Sequence, residues 1–298
     1  SRSARGNSSD IRDNDLTRRM PETRISSRSP RRWLACGLAL SLLALPAEAQ
    51  DWPQWRGPGR LGVWTEIGVV DRFPDDGLKV AWRVPLRPGF AGPVISGGRV
   101  FVLDYQEDPG SRTMDGAERM LALDEETGDI LWTREWPATY RNLMRTFATG
   151  PRATPTVSGD RIFVVGAAGM LLCLETTTGD VVWQIDTVAE YGATVPVYGV
   201  SNSPLVDGNR LIVVVGGEPD ALVVAFDTGT GDEIWRALPL VSEAGYSPPM
   251  IYESGGVRQL VVWHPQGMSS LDPQTGSVYW EHDWPIGTMT VSTPISAG

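Results

Sequence analysis

Hydrophobic and polar positions alternate along most of this chain in short runs of four to six residues, broken by glycine-containing turns. Arg161-Ile-Phe-Val-Val165, Met170 to Leu174, Leu211 to Val215 and Leu222 to Phe226 are β-branched or aromatic stretches of strand length. They are separated by Ser158-Gly159-Asp160, Asp207-Gly208-Asn209 and similar tight turns, in which glycine supplies a positive φ. The runs belong to a larger period. An apolar pair, an acid, a Thr-Gly turn and a tryptophan recur at Leu121–Trp132, Leu172–Trp183, Val224–Trp235 and Ser269–Trp280, with a degenerate copy at Asp76–Trp82. A period of about 40–50 residues marks a propeller or a solenoid.

Each repeat parses into four strands, giving an all-β propeller of four-stranded antiparallel blades. Repeat one opens at Gly92–Ile95, two at Thr154–Val157, three at Ser203–Val206 and four at Ser247-Pro248. Proline sits at the start of each innermost strand, where a missing N–H is tolerated. In the turn phrase, Gly128, Gly179, Gly231 and Gly276 take the left-handed conformation of a bulged hairpin. Trp132, Trp183, Trp235 and Trp280 then fall at one repeat position and predict a blade-to-blade seam. Ser292–Gly298 matches a first strand running into its turn, and Lys79–Val84 reads as a fourth strand without its first three. The expectation is about four blades plus the first strand of a fifth, in an open arc with Lys79–Val84 poorly supported or displaced.

The N-terminal part divides differently. Residues 1–19 are polar and without periodicity. Residues 20–49 read as an export signal: arginines at 24, 28, 31 and 32, a short apolar run Leu34–Leu45, and an Ala-x-Ala pattern ending at Ala49. That run is too short to span a bilayer, which takes about 20 helical residues. Residues 50–75 form an extension and 76–298 the propeller. Trp52 and Trp55 flank Pro53 and predict a cover for a propeller edge or base, with a partner-docking tag as the alternative. Beyond the signal only Cys173 remains, in an apolar strand, so no internal disulfide is expected.

The net charge is −10, with 26 Lys+Arg against 36 Asp+Glu. Such a surface repels nucleic acid and anionic lipid. No phosphate loop, nucleophile elbow or His/Cys metal spacing is present, and no metal ligand set is predicted.

Ala122-x-Asp124-x-x-Thr127-Gly128-x-x-x-Trp132 resembles the tryptophan-docking repeat of pyrroloquinoline-quinone (PQQ) dehydrogenases and PQQ-like propellers. Asp51-Trp52-Pro53-Gln54-Trp55-Arg56-Gly57-Pro58 resembles the opening of a group of exported bacterial PQQ-like proteins. The resemblance covers residues 51–298 and implies seven or eight blades in an intact protein. It also implies two activities: a non-catalytic scaffold, such as the propeller that assists outer-membrane assembly, or a PQQ- and calcium-dependent alcohol or sugar dehydrogenase. Some such dehydrogenases carry an adjacent cysteine pair, which this chain lacks. The scaffold reading, without a cofactor, is therefore preferred here.

The connections Gln106–Ala117, Glu135–Ala153, Ile185–Asn202 and Leu238–Tyr246 are long and share one face, where function concentrates. Candidate ligand contacts there are Arg141, Arg152, Tyr198, Asn202, Tyr246 and His264, with Tyr140 and Arg145 beside them, facing a protein or small-molecule partner. Arg and Tyr at these places suit an anionic ligand, and His264 is a candidate base.

Overall fold

The computed structural model describes residues 50–68, 70–144, 149–286 and 289–296. The export-signal segment, residues 1–19 and Arg145 lie outside them. Sixteen strands form four antiparallel meanders among the described residues. Blade one is β1 (Val94–Ser96), β2 (Arg99–Glu107), β3 (Asp115–Asp124) and β4 (Ile130–Thr139). Blade two is β5 (Thr156–Ser158), β6 (Arg161–Val165), β7 (Met170–Glu175) and β8 (Val181–Asp186), followed by a one-turn helix, α1 (Thr187–Tyr191). Blade three is β9 (Leu205–Asp207), β10 (Arg210–Gly217), β11 (Ala221–Asp227) and β12 (Glu233–Ala237). Blade four is β13 (Met250–Ser254), β14 (Val257–His264), β15 (Gly267–Leu271) and β16 (Val278–Asp283). No helix among the described residues is long and apolar enough to cross a membrane.

Every third-to-fourth hairpin carries a bulge at one repeat position, after Ala122, Cys173, Ala225 and Ser270. The acid closes the turn in three of the four repeats. Asp124 Oδ1 accepts from the backbone N–H of Glu126 and Thr127 at 3.0 and 2.9 Å, and Asp227 and Asp272 do the same work in blades three and four. The glycine meets two demands. It holds φ between 71° and 78°, and it is the seat of the preceding blade's tryptophan. A Cβ at Gly128, Gly231 or Gly276 would lie 2.7–2.8 Å from an indole atom of Trp82, Trp183 or Trp235, and one at Gly179 would run into Trp132. The indole N–H then reaches the carbonyl three residues before the glycine: Trp82 to Glu125 at 2.8 Å, Trp132 to Thr176 at 3.0 Å and Trp183 to Thr228 at 3.1 Å. Trp235 is seated, but its buried Nε1 has no hydrogen-bond partner, and the residue three before Gly276 is Pro273.

Apolar cores fill the seams. Phe101, Met120, Val164 and Leu172 join blades one and two; Phe163, Leu171, Val213 and Phe226 join two and three; Ile212, Val214, Leu260 and Val262 join three and four. Trp280 differs from its three counterparts. It is 41% exposed and donates to Gln259 within its own blade at 2.9 Å.

Lys79–Val84 is not a strand. Its Trp82 nevertheless takes the docking seat on blade one, where it and Val84 cover Val100, Val102, Leu121 and Leu123. The segment lacks strand pairing, the weaker of the two expected outcomes, and it stays on blade one because indole burial and one hydrogen bond hold it. A second correction concerns Gln106–Ala117. Gln106 pairs with Ala117 and Glu107 with Gly116, so both ends of that expected loop continue the β2–β3 hairpin and the connection shortens to residues 108–114.

Candidate functional site: an axial cavity on the long-loop face

The first described residues run along the innermost strands of the propeller. Pro53, Pro58 and glycines at 57 and 59 exclude regular helix, and the segment stays extended or tightly turned. Trp52 exchanges two backbone hydrogen bonds with Ile95 of β1, at 2.9 and 3.0 Å. The Pro53 carbonyl accepts from Val157 N of β5 at 2.8 Å. Arg60, 2% exposed, donates to the carbonyls of Ser203, Pro204 and Pro249 at the openings of blades three and four, and to Gln54 Oε1. No carboxylate is among those partners. Burial pushes its guanidinium down to about 9, and carbonyl dipoles solvate the charge in place of water. Trp52 thus covers the inner edge strand of blade one, and Trp55 lines the axial cavity.

Above this segment lies a cavity of about 490 Å³. Trp55 contributes its floor, Phe90 and Arg152 come from the loops flanking blades one and two, Tyr198 and Ser201 from the loop after α1, and Tyr246 from the loop before blade four. Arg152 stands 5.1 Å from the centroid of the Phe90 ring, a cation–π contact. The Tyr198 and Tyr246 rings are 5.9 Å apart at 58°, and the Tyr246 hydroxyl accepts from Tyr198 N at 3.4 Å. Burial raises the Tyr246 phenol, which stays protonated at neutral pH. Three of the six sequence candidates, Arg152, Tyr198 and Tyr246, therefore converge on one cavity.

The other three do not. Asn202 is buried beside the cavity, tied by Nδ2 to the Ser247 carbonyl at 2.6 Å, and its buried Oδ1 has no hydrogen-bond partner. Arg141 lines a separate cavity of about 510 Å³ between blades one and two. His264 ends β14 and is not on a loop; it is 4% exposed, its Nε2 lies 3.0 Å from Ser269 Oγ, and desolvation pushes its pKa down to about 4. An imidazole so placed is neutral and enclosed at pH 7 and does not reach the axial cavity.

Sequence reasoning missed Glu118, which is fully buried on β3. It accepts from Tyr140 Oη at 2.5 Å, Ala167 N at 2.7 Å and Trp136 Nε1 at 2.8 Å. Burial raises its pKa above the ordinary carboxylate value. Its three donors join blade one to blade two, and the stacked Tyr105–Tyr140 pair, 4.2 Å between centroids, packs beside it. The signal was present: Glu118, Met120 and Ala122 occupy one face of a period-2 run.

The axial cavity offers one cation, four aromatic rings, serine hydroxyls and apolar walls. A quinone–calcium pair needs oxygen ligands for the metal and a carboxylate base. Among the described residues, no carboxylate lines this cavity and no three His, Cys, Asp or Glu side chains converge as a metal site. The lining suits a planar or apolar anion but does not fit that pair.

Fold and site together define a PQQ-like repeat β-propeller with an aromatic, singly cationic axial cup. The family model described as outer membrane protein assembly factor BamB matches residues 74–149 and 119–296, and the chain belongs to that family. The chain is 27% identical over 236 residues to the outer membrane protein assembly factor BamB of Burkholderia pseudomallei, covering 76% of this chain and 54% of that protein. It is 23% identical over 232 residues to the quinohemoprotein alcohol dehydrogenase ADH-IIG of Pseudomonas putida, covering 70% of this chain and 30% of that one. The solved quinohemoprotein alcohol dehydrogenase of Comamonas testosteroni superposes with a TM-score of 0.56 at 17% identity, over 80% of this chain and 42% of that structure, a likeness of fold. The chain thus spans about half or less of the length of these relatives.

Proposed function

We propose that this propeller is an exported, non-catalytic binding scaffold that takes a protein or small-molecule ligand at its long-loop face, in the axial cup. The observation that carries this reading is the lining of the cup. It has recognition chemistry, with Arg152 for an anionic group and Trp55, Phe90, Tyr198 and Tyr246 for an apolar or planar one, but no group to take a proton at neutral pH. Tyr246 is held protonated and His264 lies elsewhere, neutral. Relatives named as outer membrane assembly factors support both the interaction role and an extracytoplasmic location, as does the signal-like segment 20–49.

The second reading is a quinoprotein dehydrogenase. It is favoured by the matches to quinohemoprotein alcohol dehydrogenases. One experiment separates the two. The chain is incubated with PQQ and Ca²⁺, passed through gel filtration, and assayed for alcohol-dependent dye reduction. A scaffold elutes without quinone absorbance and reduces no dye. Quinone that co-elutes and supports alcohol-dependent reduction would overturn the proposal.

A further inference from the structure

We propose that residues 51–60 form an axial plug, a peptide ligand that the chain supplies to its own hub and whose seating closes the floor of the axial cup. Four observations converge on this. First, the segment is bound by the innermost strands or their entries in all four blades: Ile95 in one, Val157 in two, Ser203 and Pro204 in three, Pro249 in four. Trp55 Nε1 adds Thr293 Oγ1 at 3.2 Å. These are the contacts of a peptide in a receptor groove, main-chain bonds for affinity and side-chain pockets for selectivity.

Second, Arg60 is an anchor of the kind that cannot be swapped for lysine. Its planar fork donates to carbonyls from two blades at once while Nε holds Gln54 at 3.1 Å. Third, Gly57 is shaped by the seat: its φ is 70°, and a Cβ there would lie 2.6 Å from the Trp52 ring. Fourth, Trp55 is a shared wall. It lines the axial cup of about 490 Å³ on one side and, on the other, a cleft of about 480 Å³ that holds Trp52, Trp64 and Ile95. No other residue lines both. Withdrawing the segment would join the two spaces along the propeller axis. The segment is tethered to blade one through residues 61–93, whose described part holds no strand or helix, so the covalent link imposes little on how it sits.

The test uses the full chain with a protease site inserted at the exposed Asp76–Gly77 turn, which leaves Trp82 on its seat. After cleavage, the N-terminal piece should co-elute with the propeller on gel filtration. Arg60→Ala should let it go, shortening its residence at least tenfold, while circular dichroism of the uncut variant keeps the wild-type β signature. Should Arg60→Ala fail to fold, isotope-labelled synthetic peptide Gln50–Trp64 added to the cut wild-type chain gives the same answer by exchanging into the complex. A wild-type piece that separates at once, or a labelled peptide that never exchanges in or competes, would overturn the proposal.

Discussion

The seams between blades and the hub they surround are held by opposite means. At the seams one device repeats: an indole on a glycine and an apolar core, joined by an indole hydrogen bond for Trp82, Trp132 and Trp183. At the hub nothing repeats. A single extended segment satisfies carbonyls and amides from different blades, and a guanidinium sits buried among backbone oxygens. The seam teaches that the repeat glycine is chosen as much for the ring that covers it as for its own turn. The hub teaches that the axis of such an arc needs polar satisfaction that no repeat position provides.

The largest effect should come from emptying a seam. Trp132→Ala removes a 9%-exposed indole and should cost ~3–5 kcal/mol in urea unfolding, the usual range for deleting a large buried aromatic. The matching glycine should be nearly as sensitive. Gly208→Ala, at φ 61° with nothing within 4 Å of its Cβ, should lose only the left-handed backbone term of ~1–2 kcal/mol. Gly179→Ala, at φ 71° under Trp132, should lose that and a further ~1–3 kcal/mol from overpacking. Equal losses at the two glycines would mean that the ring does not rest on Gly179.

How much of this was legible follows from what repeats. The seam was readable because Trp132, Trp183 and Trp235 recur with a glycine at a fixed distance before each, and four strands fit in each interval. The second reason for the glycine was not readable, because the ring that covers it comes from the preceding blade, about 45 residues upstream. The hub was hidden for the same reason: Arg60 meets Ser203 and Pro249, 143 and 189 residues away, and no local pattern marks a carbonyl as an acceptor. On the long-loop face, loop length found Arg152, Tyr198 and Tyr246. It failed at His264, because β14 runs through that residue instead of ending before it, and at Glu118, because the hairpin that carries it was read as a loop up to Ala117.

A smaller effect should appear with pH. His264 has a folded pKa of about 4 against 6.5 for the free side chain. A depressed histidine means that the unfolded chain binds the proton first. Its contribution is therefore intact above pH 6.5 and is lost as pH falls toward 4, by up to ~3 kcal/mol. The difference between wild type and His264→Gln, followed by urea midpoints from pH 7 to 4, should show that slope. A flat difference would place an ionised imidazole, and with it an open site, at the end of β14. The smallest effect belongs to Trp280→Ala. It stands at the same repeat position as Trp132 but is 41% exposed and satisfied within its own blade, so the loss should stay below ~1 kcal/mol. A loss like that of Trp132 would show that repeat position alone, without a seat, confers stability.

The register of indole on glycine is tested most directly by a double-mutant cycle between Trp132 and Gly179, read as unfolding free energies of the four chains. If the ring rests on the glycine, Gly179→Ala in the Trp132→Ala background should cost only the ~1–2 kcal/mol seen at Gly208, the overpacking having gone with the ring. An unchanged penalty, additive with that of Trp132→Ala, would contradict the docking on which the whole arc of blades is built.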